Sequence, residues 1–333
     1  MPLSIHTNHG ALTSINVLNR TSHDMVISQQ RLATGYRING AADNPAGLQI
    51  ASRLNAQSRG MEVAGRNIAD ATSMLQTADS GLEEVGNMLL RMKDLATQAA
   101  NGTNGTSDRK AMQKEYDELG KELYNILENT RFNDEQLFGT KGGESKLSKA
   151  IDFQTGASAD EKLKFDASAL LTNLRETLLQ ATEKFDPQKV ANDLQARKTP
   201  AENALEAARQ NPNPDPAAIA ALEKALKEAS AEAGNEISDN VNASNSISTL
   251  TKALDSVGEM RASFGANLNR LTHIDNNLSN VRDKTDVARG RIMDTDYAQE
   301  SANNAKNMMR AQATMSMLQN DRQMSGMVLN LLR

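Results

Sequence analysis

Six apolar residues, Leu54, Met61, Ile68, Leu75, Leu82 and Leu89, recur at every seventh position without a break. Ala64, Ala71, Ala78, Val85 and Met92 follow three positions after the last five of them. This is the a/d seam of a coiled coil, sustained far beyond what chance produces. The alanine layer lets a partner helix approach closely. A helix from about residue 46 to about residue 100 would run roughly 80 Å at about 1.5 Å per residue, well beyond ordinary globular lengths.

Proline placement permits such helices. All seven prolines lie at positions 2, 45, 187, 200, 212, 214 and 216, so two long stretches contain none, and proline breaks a helix interior. A second seven-residue series, Leu250, Val257, Phe264, Leu271 and Leu278, runs through the later stretch. Ile247, Leu254 and Leu268 are its expected second row, interrupted by Arg261 and Asp275. Between the two series, "NGTNGTSD" (101–108) breaks the first helix, and Ser107 or Asp108 can cap the next. That third helix carries Met112, Tyr116, Leu119, Leu123 and Ile126. Three helices with matching seams bury them most simply against one another. The reading is a mainly α protein, a long antiparallel helical bundle or coiled-coil rod assembled from discontinuous halves of the chain. "IDFQTGASADEKLKFDAS" (151–168) alternates apolar and polar residues about a turn and reads as a small β-hairpin. Residues 170–239, with "QNPNPDP" and "AAIAALEKALKEASAEAG", read as a mostly helical, solvent-exposed insert.

Composition narrows the chemistry. Aromatic residues make up 3% of the chain and Trp is absent, so Ala, Leu and Met must do the burying. The absence of Cys excludes disulfides, thiol catalysis and Cys-ligated zinc. A net charge of −5 gives no case for nucleic-acid binding. No apolar run reaches the ~20 residues that span a bilayer, so no membrane partner is expected. The first twenty residues have neither a basic nor an apolar signal region, so no cleavable secretory signal is expected. Of the four histidines, His6 and His9 are close together but no HExxH accompanies them. The reading is no enzyme, no metal and no cofactor.

The two ends differ from the middle. Leu18, Met25 and Leu32 keep heptad spacing, but the accompanying row is Ser, Thr and Gln. Near the C-terminus Met308, Met315, Leu318, Leu329 and Leu332 are spaced for a helix, interrupted by Arg322 and Ser325. Weak seams leave isolated helices marginal in water. Both ends are therefore expected to become helical only when packed with each other and with neighbouring copies.

Several stretches carry a resemblance to bacterial flagellin: "QQRLATGYRINGAADNPAGLQIASRL", "NMLLRMKDLATQAANGTNG", "EMRASFGANLNRLTHIDNNL" and the ending "RIMDTDYAQESANNAKNMMRAQATMSMLQNDRQMSGMVLNLLR". The resemblance covers roughly 1–170 and 240–333. It implies an extracellular filament subunit polymerising with many copies of itself. The termini, 1–44 and 290–333, would pair as a coiled coil lining a channel. Residues 45–169 and 240–289 would form the rod, and 170–239 a variable surface insert. Export unfolded through the flagellar type III apparatus is implied, with a chaperone on the C-terminal segment and filament cap and hook–filament junction proteins as partners. Gly35, Gly40, Asn44, Pro45 and Gly47 would form a spoke between inner helix and outer rod, packed against neighbours only in the filament, with Pro45 in the first turn and Asp43 or Asn44 as cap. Family motifs at Arg91, Leu95 and Glu115 imply recognition by Toll-like receptor 5, with an exposed arginine beside an apolar residue as the hot spot. A hook–filament junction protein, or more distantly a non-polymerising coiled-coil adaptor, is the alternative.

Overall fold

The computed structural model describes residues 8–139, 145–209, 221–223 and 234–331. The "QNPNPDP" turn, His6 and Leu332 lie outside the described residues, as does most of the following alanine-rich segment and the side chain of Leu329. The chain forms two compact units, one from 1–63 with 278–333 and one from 64–277. The division falls inside two long helices.

Seven helices of four or more residues are described: α1 (His9–Thr34), α2 (Pro45–Ala99), α3 (Thr106–Asn129), α4 (Ser168–Ala181), α5 (Pro187–Arg209), α6 (Asn240–Met293) and α7 (Tyr297–Leu331). Two short hairpins interrupt them: β1 (Arg131–Phe132) with β2 (Glu135–Gln136), and β3 (Ile151–Gln154) with β4 (Lys162–Phe165). The first closes on Asn133 and Asp134 at φ 51° and 63°, the two-residue left-handed loop that matches strand twist. The second is the hairpin expected from alternation, pairing Ile151 with Phe165 and Phe153 with Leu163.

The larger unit holds the apolar core. On α2 the buried rows are Ile68, Leu75, Leu82 and Leu89 with Ala71, Ala78, Val85 and Met92, as the heptads require. On α6 the first row is Leu250, Val257, Phe264 and Leu271, all buried. Its second row is Ala253 and Met260; the expected Ile247, Leu254 and Leu268 are half-buried flanks. The expected seam ends, Leu54 and Leu278, are half-buried too and belong to the terminal unit. Within the larger unit α6 runs antiparallel to α2. Arg261 Nε donates to Asp79 at 2.8 Å, and a Cβ on Gly86 would lie 3.8 Å from Val257. Arg261 therefore does not interrupt the seam; it caps its edge, reaching Glu83 as well at 3.2 Å. The β3–β4 hairpin packs its Phe165 against Phe264, with ring centroids 5.8 Å apart.

α3 contributes Met112, Tyr116, Leu123 and Leu127 to the same core. Its first turn is closed by Asp108, which accepts from Gly105 N–H at 3.1 Å, so Asp108 serves the end without being the cap residue itself. The insert is anchored on α3 by buried polar groups. Gln113 donates to Asp117 (2.8 Å) and Glu236 (2.7 Å) and accepts from Ile237 N–H (2.8 Å). Asp117 also accepts from Gly234 N–H at 3.0 Å, and Glu236 accepts from Glu183 N–H at 2.8 Å. Both ends of the insert thus meet one face of one helix. Burial raises the Asp117 pKa above its ordinary value, opposed by these hydrogen bonds and by Lys184 and Lys121.

Candidate assembly interface

The pivot is built first. α1 ends at Gly35, which takes φ +74° and donates its N–H to the Arg31 carbonyl at 2.9 Å. A Cβ there would be strained and would lie 3.0 Å from Tyr297 Oη. From this point the two connecting segments run side by side. Arg37 N–H donates to the Met293 carbonyl (2.6 Å), Thr295 N–H to the Gly35 carbonyl (2.9 Å), and the Arg37 guanidinium to the Ile292 carbonyl (2.8 Å). Asp43 gathers the N–H groups of Asn39 and Gly40 at 2.8 and 3.0 Å, which hold its carboxyl below the usual carboxylate value. Asn44 Oδ1 accepts from Gly47 N–H at 2.9 Å and caps α2, which begins at Pro45. Gly47 is needed because a Cβ would meet Ile38 Cδ1 at 2.8 Å, whereas nothing lies within 4 Å of one on Gly40. The pivot is thus stitched within its own chain, not packed against neighbours alone.

α1 and α7 pair antiparallel. Arg31 faces Glu300 at 3.7 Å, and at the other end a Cβ on Gly10 would sit 3.3 Å from Asp321. The buried positions between them are polar. On α1 they are Thr21 and Ser28; on α7 they are Glu300, Asn307 and Thr314, in strict seven-residue steps. Leu18, Met25, Leu32 and Leu318 are half-buried beside this row. Met308 and Met315, expected on the seam, are about half exposed, at 48% and 53%. They lie one residue beyond Asn307 and Thr314, about a quarter turn round the helix. Met317 and Met324 lie about a sixth to a quarter of a turn round the other way, also exposed. The reason is volume: small hydroxyls and Asn let the helices approach where methionine would hold them apart. The unpaired-looking Ser/Thr row of α1 was the signal of the true seam.

This inverts normal burial. Of the seventeen large apolar side chains exposed among the described residues, fifteen belong to the terminal unit. Of the apolar residues buried in the core, that unit holds only Ile38, Ala51 and Met61 among the described residues. Leu12, Ile15 and Val26 lie on the α1 face away from Thr21 and Ser28; Met308, Met315, Met317 and Met324 flank the α7 seam, and Met309 stands on its far side. An apolar exterior around a polar seam is the surface of a piece that packs with others.

In the larger unit, Arg91 and Glu115 meet across α2 and α3. Arg91 Nε and Nη2 donate to Glu115 Oε1 at 2.8 and 2.6 Å, with both side chains about half exposed. Leu95 does not stand beside them on the surface. It is 3% exposed and packs inward.

Two family models match the chain. The bacterial flagellin N-terminal helical region covers residues 5–142, and the bacterial flagellin C-terminal helical region covers 247–332. Together they take in more than half of the sequence. The chain belongs to the bacterial flagellin family. Flagellin B of Vibrio cholerae serotype O1 is 33% identical over 380 aligned residues, covering all of both chains. Flagellin B of Vibrio anguillarum is 31% identical over 380 residues, again end to end. A crystal structure of Bacillus cereus flagellin matches 64% of this chain and 88% of its own at 28% identity, with a TM-score of 0.41. As a flagellin the chain is a structural subunit of the flagellar filament, a homopolymer. The matched N-terminal region contains α1, the pivot, α2 and α3; the C-terminal region contains most of α6 and all of α7.

Proposed function

We propose that the apolar flanks of α1 and α7 are the surfaces through which copies of this flagellin pack in the extracellular filament, the two helices together lining its channel. The observation that supports this reading is the concentration of exposed apolar side chains on the unit whose own seam is polar. Burying several methionines per copy at about 25 cal/mol per Å² of apolar area supplies the free energy of growth. The same methionines are a hazard before assembly, which fits export in an unfolded state through the type III apparatus with a chaperone on the C-terminal segment. Filament cap and hook–filament junction proteins would meet the same helices at the two ends of the polymer. Recognition by Toll-like receptor 5 would centre on the exposed Arg91–Glu115 pair, with Leu95 holding the face from beneath.

The polymer reading is tested by seeding. Filament fragments are mixed with monomer carrying Met315→Glu and Met317→Glu, and elongation is followed by light scattering. The variant is expected not to extend seeds, while the melting of its larger unit stays at the wild-type value. Normal elongation would overturn the reading and favour a non-polymerising adaptor. For the receptor, Arg91→Ala monomer is expected to lose signalling in a reporter cell line while retaining elongation; undiminished signalling would remove the receptor from this face.

A further inference from the structure

Three Asn-Gly pairs stand in the sequence: Asn39–Gly40, Asn101–Gly102 and Asn104–Gly105. Such pairs carry a latent reaction. The glycine backbone nitrogen, unshielded by a side chain, attacks Cγ of the preceding asparagine. Its proton passes to hydroxide, the side-chain nitrogen leaves as ammonia, and a five-membered succinimide closes. Water then opens the ring at either carbonyl, leaving aspartate or isoaspartate; the net change is amide plus water to carboxylate plus ammonium. The reaction needs a side-chain amide nitrogen free to leave and a glycine N–H free to lose its proton.

The fold withholds both freedoms at two of the three pairs. At the pivot, Asn39 Nδ2 donates to the Tyr36 carbonyl at 2.8 Å and Gly40 N–H to Asp43 at 3.0 Å. At the start of α3, Asn104 Nδ2 donates to the Gln98 carbonyl at 2.5 Å and Gly105 N–H to Asp108 at 3.1 Å. Asn101 differs. It is exposed, and among the described residues neither its Nδ2 nor the Gly102 N–H has a hydrogen-bond acceptor. Its Oδ1 accepts from Thr103 N–H at 3.2 Å, an Asx turn that draws electron density from Cγ and makes it more electrophilic. We propose that Asn101 is a self-modification site, deamidating through Gly102 while the Asn39 and Asn104 pairs are kept silent by Asp43 and Asp108. The new carboxylate would form beside Arg109, whose Nη2 already reaches the Asn101 carbonyl at 3.4 Å. In the isoaspartyl form it also adds a methylene to the main chain of the α2–α3 turn. Each subunit so acquires a time-dependent negative charge at that turn.

The test uses the full-length recombinant chain, aged at physiological temperature in mildly alkaline buffer and sampled for peptide mass mapping, with isoaspartate scored by methyltransferase labelling. Asn101 is expected to convert about tenfold or more faster than Asn39 or Asn104, since each silent pair must first give up two hydrogen bonds. Asp108→Ala frees Gly105 N–H and is expected to raise conversion at Asn104 several-fold, leaving Asn101 unchanged. Gly102→Ala is expected to slow Asn101 without affecting the other two. Circular dichroism melting confirms that each variant is folded. Conversion at Asn39 or Asn104 as fast as at Asn101 overturns the proposal, as does an Asp108→Ala chain in which Asn104 stays silent.

Discussion

Leu82→Ala puts the strongest quantitative demand on the bundle. Leu82 is wholly buried, and the α2–α6 register set by Arg261–Asp79 and Gly86–Val257 places it opposite Val257 and Met260. Both neighbours sit on continuous helix, so the walls cannot collapse far into the space left behind. Leu→Ala at such a site costs about 3–5 kcal/mol, the lost transfer energy plus about 24 cal/mol per Å³ of residual cavity. For a unit of this size that lowers Tm by about 6–20 °C. The control is eight positions further on: Leu90 is 53% exposed, and Leu90→Ala should cost within about 0.5 kcal/mol. Calorimetry on the monomer, with chemical denaturation for the free energy, measures both. A Leu82→Ala penalty below about 1 kcal/mol, or a Leu90→Ala penalty equal to it, would show that the seam has been placed on the wrong face.

Further outcomes follow from the pivot and from the insert's anchor. Gly35→Ala places a Cβ in left-handed backbone against Tyr297 Oη, costing about 1–2 kcal/mol; filaments of this variant should dissociate at a lower temperature than wild type. Gly40→Ala meets open space and should leave that temperature unchanged or slightly raised, and equal effects of the two would contradict the pivot geometry. Asp117 has its pKa raised by burial, so the folded chain binds its proton more tightly than the unfolded chain does. Its contribution to stability therefore falls as pH rises from the ordinary value of 3.8 through the folded pKa. Wild-type urea stability minus that of Asp117→Asn should fall across that window and level off above it; a value that rises with pH would refute the assignment.

Much of this architecture was legible in the sequence because seven-residue spacing needs no partner to be seen. The Leu75, Leu82 and Leu89 row, the Phe264 row and the 151–165 hairpin all follow from local periodicity, and the packing agrees. What was hidden depended on partners distant in the chain. Glu236 and Gly234 lie more than a hundred residues from Gln113 and Asp117, so no window of sequence could display their shared network. The α7 seam was hidden for a different reason. Reading apolar positions as buried selects Met308 and Met315, yet the closest helix approach goes to Asn307 and Thr314, one residue earlier. That habit fails on α7, whose buried row is polar. Leu95 fails in the opposite direction: the family motif groups it with exposed Arg91, although α2 turns it into the core.

Packing through α7 requires its methionines to be exposed in the single chain and covered in the polymer. Oxidative footprinting read by mass spectrometry, applied in parallel to monomer and to assembled filament, measures it side chain by side chain. Met308, Met315 and Met317 should react readily in the monomer and be strongly protected in the filament, while buried Met92 and Met260 stay protected in both. Equal labelling of the α7 methionines in the two states would mean that copies meet elsewhere.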